Sequence, residues 1–381
     1  MQSYTVTSLP SQFGLVSNYS AARVGRKEME VVPRKKALLI LNCILLTVGN
    51  CGGPLIIRLY FLRGGKRIWL SSWIQTAGFP IILITLFVSY MNRRWQIPIN
   101  CTAAAATTEL FLMKTRVLIA SAIIGIITGL SNYVYGYGLA RLPVSTSSLL
   151  VSTQLAFTAG FAFLLVKQKF TAFSINAIIL LTVGAAVLAL HTSSDRPKGE
   201  SKEEYVLGFV FTLAGAALGG FIMPSLELTY LKAKQAVTYR LVLEIQLVIC
   251  LFATAFSTVG MIINKDFQAI SKEGKQYELG ETKYYLVLVW VAIILQGFFL
   301  GIVGVIFYGS SLLAGIIITV SIPITELLAV IFFHEKFQVE KGVALFLSLW
   351  GFVSYFFGEM KQNKKTNCRT EGTEMARAGD P

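Results

Sequence analysis

The sequence is short of charge. Asp, Glu, Lys and Arg make up only 14% of its 381 residues, where a soluble domain carries about a quarter. Hydrophobic residues make up 54% and mean hydropathy is +0.64. A chain of this composition cannot cover a water-facing surface, which excludes a soluble enzyme or binding domain. Metal and redox chemistry are scarce too. The two histidines and five scattered cysteines (Cys43, Cys51, Cys101, Cys250, Cys368), with no CxxC spacing, support neither a zinc site nor a disulfide framework. Arg63-Gly64-Gly65-Lys66 is too short for a phosphate loop, and no nucleophile, base and orienting group share a region, so no catalytic residues are expected. The net charge of +14 would point to nucleic acid in a soluble domain. Here the cations fall mainly in short connections and tails, where positive-inside bias places them, and no nucleic-acid partner is expected. The first apolar run begins near Ala37 after a polar leader, so no removable signal peptide is expected.

Long apolar runs are what the sequence does have. Ten can be placed, at roughly 37–61, 68–91, 117–139, 144–166, 171–191, 205–230, 240–263, 284–308, 312–333 and 342–358. At 1.5 Å per residue most are long enough to cross a bilayer as helices. This predicts an all-α, multi-pass integral membrane protein in contact with lipid. With cytoplasmic termini, that side holds 20 of the Lys and Arg and the other side 13, the bias expected of cytoplasmic loops. The sequons at Asn18 and Asn100 then face the cytoplasm and stay unmodified.

The runs repeat. Shifted by 167 positions, Gly52 and Gly53 fall on Gly219 and Gly220, Thr158 on Thr325, Lys169-Phe170 on Lys336-Phe337 and Gly184 on Gly351. Five helices is an odd number, so the second copy enters the membrane from the opposite side. The expected organisation is a disordered cytoplasmic tail at 1–33, a first five-helix repeat at 34–191, an extracellular linker at 192–204, an inverted second repeat at 205–360 and a cytoplasmic tail at 361–381. Inverted repeats point to alternating access, with the ligand held near mid-membrane at the repeat interface.

With Arg240 counted in the connection before the seventh run, four side chains in the runs carry full charge: Arg58, Glu227, Glu244 and Glu326. An anion carrier would need several embedded cations, so the ligand is neutral, weakly basic or cationic. Arg58, Glu227 and Glu244 lie near helix ends. They fit either snorkelling or local pairing with neighbours such as Lys232 and Lys234, or ion pairs of an outer and an inner gate. Glu326 lies nearer mid-depth, three residues after Pro323, with Thr319 on its face. It fits a group that gains and loses a proton in each cycle, or a protonated glutamate tying helices together.

Amides supply the next candidates: Asn132 with Thr128 and Gly136 on its face, Gln154 between Ser147 and Thr158, and Gln296 with Phe299 three residues on. Each offers donors and an acceptor for reading the edge of a heterocycle, and each equally fits interhelical bonding without ligand. Trp73 beside Gln75, Tyr133, Tyr135, Tyr137 and Trp290 offer stacking surface. The Gly49-Gly52-Gly53-Pro54 and Gly215-Gly219-Gly220-Pro224 clusters read as sites of close helix approach and bending rather than ligand groups.

Several stretches resemble one family: Gly49 to Pro54 with Arg58 to Phe61, Gly64 to Pro80, Leu142 to Ala159, Pro224 to Tyr230 with Lys232 to Gln235, and His334 to Phe337 followed by Lys341 to Glu359. Together they are similar to the plant purine permeases, within the drug/metabolite transporter superfamily, over roughly residues 35–360. The resemblance implies a ten-helix carrier with cytoplasmic termini, most simply in the plasma membrane. It also implies import of adenine, cytokinins and related purines with protons, with no cofactor expected beyond the proton gradient. Some similar proteins carry alkaloids or vitamin B6 forms instead. The family pattern extends to Trp73, Gln75, Asn132, Gln154, Gln296 and Glu326; with Tyr133 and Phe299 these are the substrate-site candidates, and Glu326, from its depth among the charged residues, is the proton-coupling candidate. Gly136 and Arg141 depart from the expected Ala and Tyr.

Overall fold

A computed structural model of the chain describes residues 13–96, 113–167, 172–190, 201–334 without 234 and 236, and scattered positions from 339 to 361; side chains are described from Lys36 onward, with gaps. Every regular element among these residues is an α-helix. They are α1 (Phe13–Leu62), α2 (Ile68–Ala77), α3 (Pro80–Gln96), α4 (Thr115–Arg141), α5 (Val144–Ser152), α6 (Gln154–Val166), α7 (Ala172–Leu190), α8 (Lys202–Leu231), α9 (Tyr239–Ile263), α10 (Asp266–Gln276), α11 (Glu281–Tyr308), α12 (Ser311–Val320) and α13 (Ile322–Phe333). Helix is what these sequences require, because in hydrocarbon every backbone N–H and C=O must be satisfied within the segment.

Seven stretches among the described residues are long and apolar enough to cross a membrane: Lys36–Leu62, Ile68–Val88, Thr115–Arg141, Thr146–Val166, Lys202–Leu231, Tyr239–Ile263 and Glu281–Tyr308. They coincide with runs one to four and six to eight of the sequence. The fifth run is α7, the ninth is divided between α12 and α13, and the tenth falls on positions described only in part. Asn100, the side chain of Asn18, linker residues 192–200 and the tail beyond 361 lie outside the described residues.

Three runs are interrupted. The second breaks at Gly78-Phe79, where Pro80 opens α3 and cannot donate to the preceding turn. The fourth breaks at Thr153, whose hydroxyl donates to the Leu150 carbonyl at 2.7 Å, and the ninth at Ser321, whose hydroxyl donates to Ile317 at 2.7 Å. Pro323 follows within the first two positions of α13. In both breaks a side-chain hydroxyl competes for a backbone carbonyl.

Three expectations change. Residues 13–33 are not a structureless tail but the start of α1, since extending an existing helix avoids the cost of nucleating a new one. The connection at 264–283 contains α10, and α8 starts inside the linker. There Ser201 accepts from the Glu204 N–H at 3.1 Å while Glu204 accepts from the Ser201 N–H at 3.4 Å, a reciprocal cap.

The helices pair reciprocally. α1 packs on α11 and α4 on α8; α2 lies between α9 and α11, and α9 also packs on α4; α5 and α6 meet α13 and α12. Small residues set the closest approach, for a Cβ added at Gly49 would lie 2.5 Å from that of Phe298, and one at Gly301 2.5 Å from the Leu46 nitrogen. One core cluster, around Leu46, Leu241, Ile245 and Val305, joins α1, α8, α9, α11 and α12. A second, around Tyr60, Leu70, Tyr284 and Leu295, joins α1, α2 and α11 beneath α10. Ile84, Phe87, Ile119, Leu164 and Phe332 stay exposed on the outside of the bundle, as lipid-facing residues should.

Candidate functional site

A cavity of about 130 Å³ lies where the two pairs meet, walled by α1, α2, α4, α5, α6, α8, α9, α11 and α12. An engineered cavity of about 150 Å³ holds benzene, so the space suits a small flat ring. None of the described lining residues is charged. Its polar groups are mostly amides, carried by Asn50, Gln75, Asn132, Gln154 and Gln246, and its ring surfaces are Tyr135, Phe298 and Phe299.

Four of these amides donate one N–H to protein. Asn50 Nδ2 donates to the Ile318 carbonyl (3.2 Å), Gln75 Nε2 to the Asn132 carbonyl (3.4 Å), Gln154 Nε2 to Met223 Sδ (3.8 Å) and Gln246 Nε2 to Cys250 Sγ (3.1 Å). Each leaves its oxygen and a second N–H for a ligand. The fifth, Asn132, has a buried Nδ2 with no partner. A burial of this kind costs about 1–3 kcal/mol unless something accepts from it. The wall therefore offers amide acceptors and amide donors together, the Asn132 Nδ2 among them, to a neutral ring with N–H groups and a lone pair on its edge. Sites for small molecules take this form, apolar with a few convergent polar groups.

Of the polar and aromatic residues singled out in the sequence, Gln75, Thr128, Asn132, Tyr135, Gln154 and Phe299 line the cavity. Trp73, Tyr133 and Gln296 do not. The Trp73 Nε1 donates to Thr258 Oγ1 at 3.0 Å, Tyr133 stacks on Trp69 with centroids 4.0 Å apart, and Gln296 is fully buried one layer behind, accepting from Cys250 at 3.9 Å. Glu326 belongs to α13, but its side chain lies outside the described residues. Asn50, Gln246 and Phe298 are additions from the structure. Gln246 had a signal, since Gln246, Cys250, Thr254 and Ser257 form a polar stripe at helical spacing in an otherwise apolar run.

The glycines expected to serve only helix approach also bound the cavity, Gly49 and Gly219 among them. At Gly219 an added Cβ would lie 2.9 Å from the Gln154 amide. Gly136 sits just behind the wall, where a Cβ would lie 2.9 Å from Ser71 Oγ and 3.8 Å from Gln75 Nε2. Arg141 places its guanidinium 3.7 Å from the centre of the Tyr137 ring.

The charged residues near helix ends have local work. Arg58, buried, donates through NH1 to the Leu139 and Ala140 carbonyls at 2.8 Å each, holding the end of α4. Glu227 accepts from the Ser311 N–H at 2.9 Å at the start of α12, where a carboxylate suits the positive end of the helix dipole. Glu244 lies 3.0 Å from Arg240 one turn earlier in α9. Lys234 lies outside the described residues.

A polar cluster closes the end of the bundle beyond Arg58. Arg67 NH1 reaches Asp266 Oδ1 at 3.1 Å, and Asp266 also accepts from Asn264 at 2.9 Å. Glu273 of α10 accepts from the Tyr60 and Tyr284 hydroxyls at 2.5 and 3.1 Å and from the Lys66 N–H at 3.2 Å. α10 thereby straps the α1–α2 turn to the start of α11. Burial raises the Asp266 carboxyl above its ordinary range, while Arg67 and Asn264 pull it back.

The family model for purine nucleobase transmembrane transport matches residues 37–365. Purine permease 3 of Arabidopsis thaliana is 56% identical over 329 residues, covering 86% of this chain and 92% of that protein. Purine permease 2 of the same plant is 51% identical over 346 residues, covering 88% and 95%. A solved crystal structure of another protein aligns with a TM-score of 0.53 at 12% identity, over 86% of this chain and 98% of that one, and so shares the fold. This chain is a multi-pass membrane transporter rather than an enzyme, and it belongs to the purine permease family of purine nucleobase transporters.

Proposed function

We propose that this protein imports adenine and related purines, cytokinins included, together with protons by alternating access. The observation that carries the reading is the uncharged cavity lined by convergent amides, with the Asn132 Nδ2 buried and unpartnered. Adenine presents both N–H donors and ring nitrogens along its edge, so it uses the acceptors and donors of the amides together. Tyr135, Phe298 and Phe299 supply ring surfaces for the faces of the base.

The scaffold is a ten-helix drug/metabolite transporter built from two inverted repeats, with both termini in the cytoplasm. The 167-residue register supports this, as does the reciprocal pairing of α1 with α11 and α4 with α8. The breaks at Thr153 and Ser321, 168 positions apart, mark the fourth and ninth helices as the discontinuous pair on which such carriers hinge. Glu326, five residues past the second break, is the proton-coupling group, and the plasma membrane is the site of action.

Reconstituted protein should accumulate labelled adenine when the outside is made acid, and cytokinins should compete. Glu326→Gln should abolish the acid stimulation of uptake in purine-uptake-deficient yeast at unchanged surface expression. Acid-stimulated uptake by that variant would remove Glu326 from the coupling role. An alkaloid that outcompetes adenine would reassign the physiological substrate.

A further inference from the structure

Gln246 reaches the cavity from α9 with its amide tied to a thiol rather than to a backbone carbonyl. Its Nε2 donates to Cys250 Sγ at 3.1 Å, and the Cys250 thiol donates to Gln296 Oε1 of α11 at 3.9 Å. Behind them the Gln296 Nε2 has no partner, although that side chain is fully buried. A thiol both donates and accepts, weakly in each direction.

The chain Gln246–Cys250–Gln296 can therefore run in two directions with the same number of hydrogen bonds. As described, Gln246 turns its oxygen to the cavity. Reversed, Gln296 Nε2 donates to the sulfur, the thiol donates to Gln246 Oε1, and Gln246 turns its nitrogen to the cavity. The first arrangement leaves the Gln296 nitrogen unpaired and the second its oxygen, so neither direction gains a bond over the other. Hydrogen bonds through sulfur are also weak enough for a ligand to choose between them.

We propose that Cys250 is a positioning residue that lets Gln246 present either an acceptor or a donor, so that one cavity takes both amino-substituted and oxo-substituted bases. This rests on the transport reading above. Cys250 does not line the cavity and touches no ligand; it acts through Gln246.

The test compares Cys250→Ala with Cys250→Ser in proteoliposomes, reading adenine uptake and its competition by hypoxanthine, a 6-oxo base. Alanine and serine leave nearly the same void, so packing loss is common to both and only serine keeps a group that donates and accepts. The unsubstituted protein should be inhibited by hypoxanthine at concentrations within about tenfold of those for unlabelled adenine, and Cys250→Ser should preserve that ratio. Cys250→Ala should raise the KM for adenine and the inhibitory concentration of hypoxanthine by about threefold to tenfold, the size of a hydrogen bond's contribution, with maximal velocity per reconstituted protein unchanged. Equal behaviour of the two variants would overturn the proposal, as would an unsubstituted protein blind to hypoxanthine. If the unsubstituted protein took up no adenine, the transport reading would fall, and this proposal with it.

Discussion

Gly219 gives the Gln154 amide its room, since any side chain at that position meets the amide at 2.9 Å. The amide is the mobile end of its residue, so Gly219→Ala should not unfold the helix pair. It should instead push Gln154 into the cavity. The KM for adenine is expected to rise about tenfold, a loss of about 1.4 kcal/mol, at normal expression and thermal stability; uptake kinetics check it. A second single-residue prediction concerns Asp266, whose carboxyl burial raises above its ordinary value. The folded protein then holds this proton at pH values where the unfolded chain has released it, so stability falls as pH rises through the window just above the ordinary carboxyl range. Asp266→Asn should flatten that part of a melting-temperature profile in detergent, and an unaltered slope would assign it to other groups.

At the scale of the element, the informative contacts are those by which one helix holds the end of another. Glu227 receives the first free N–H of α12, and Arg58 two carbonyls at the end of α4. Glu227→Ala should cost about 1 kcal/mol, typical of a lost cap, and Glu227→Gln much less, because an acceptor oxygen remains. Thermal unfolding of the two variants separates capping from a charge-pair gate, for which the glutamine variant would be as damaging as alanine. The sequence carried such elements well where apolar length decides them: run 117–139 is the core of α4, Thr115–Arg141. It carried them poorly where a few polar contacts decide. α10 is polar and short, and it exists because Asp266 and Glu273 find Arg67 and Tyr60 from a distant part of the chain, with Tyr284 of the next helix. The site divides in the same way. Asn132 and Gln154 stand out as amides in apolar runs, whereas no spacing rule reveals that Tyr133 already has Trp69 to stack on, or that Trp73 has spent its N–H on Thr258.

For the whole molecule, glycine pairs matched in register meet unmatched partners. Gly52 and Gly53 face Ile294 and Leu295 of α11, while Gly219 and Gly220 face Gln154 and Phe157 of α6. The two matched glycine pairs thus close on different partners, an asymmetry that their shared spacing cannot express because it lies in what packs against them. The size of the cavity has a further consequence. At about 130 Å³ it encloses a bare ring, while a long substituent, a cytokinin's included, must extend beyond it, pockets for drug-sized ligands being about 300–1,000 Å³. A base carrying a bulky tail must leave that tail wedged between helices, where it works as a doorstop. Such compounds should bind well yet cross slowly. In uptake measurements they should lower the maximal velocity far more than they raise the KM, and shortening the tail carbon by carbon should restore turnover.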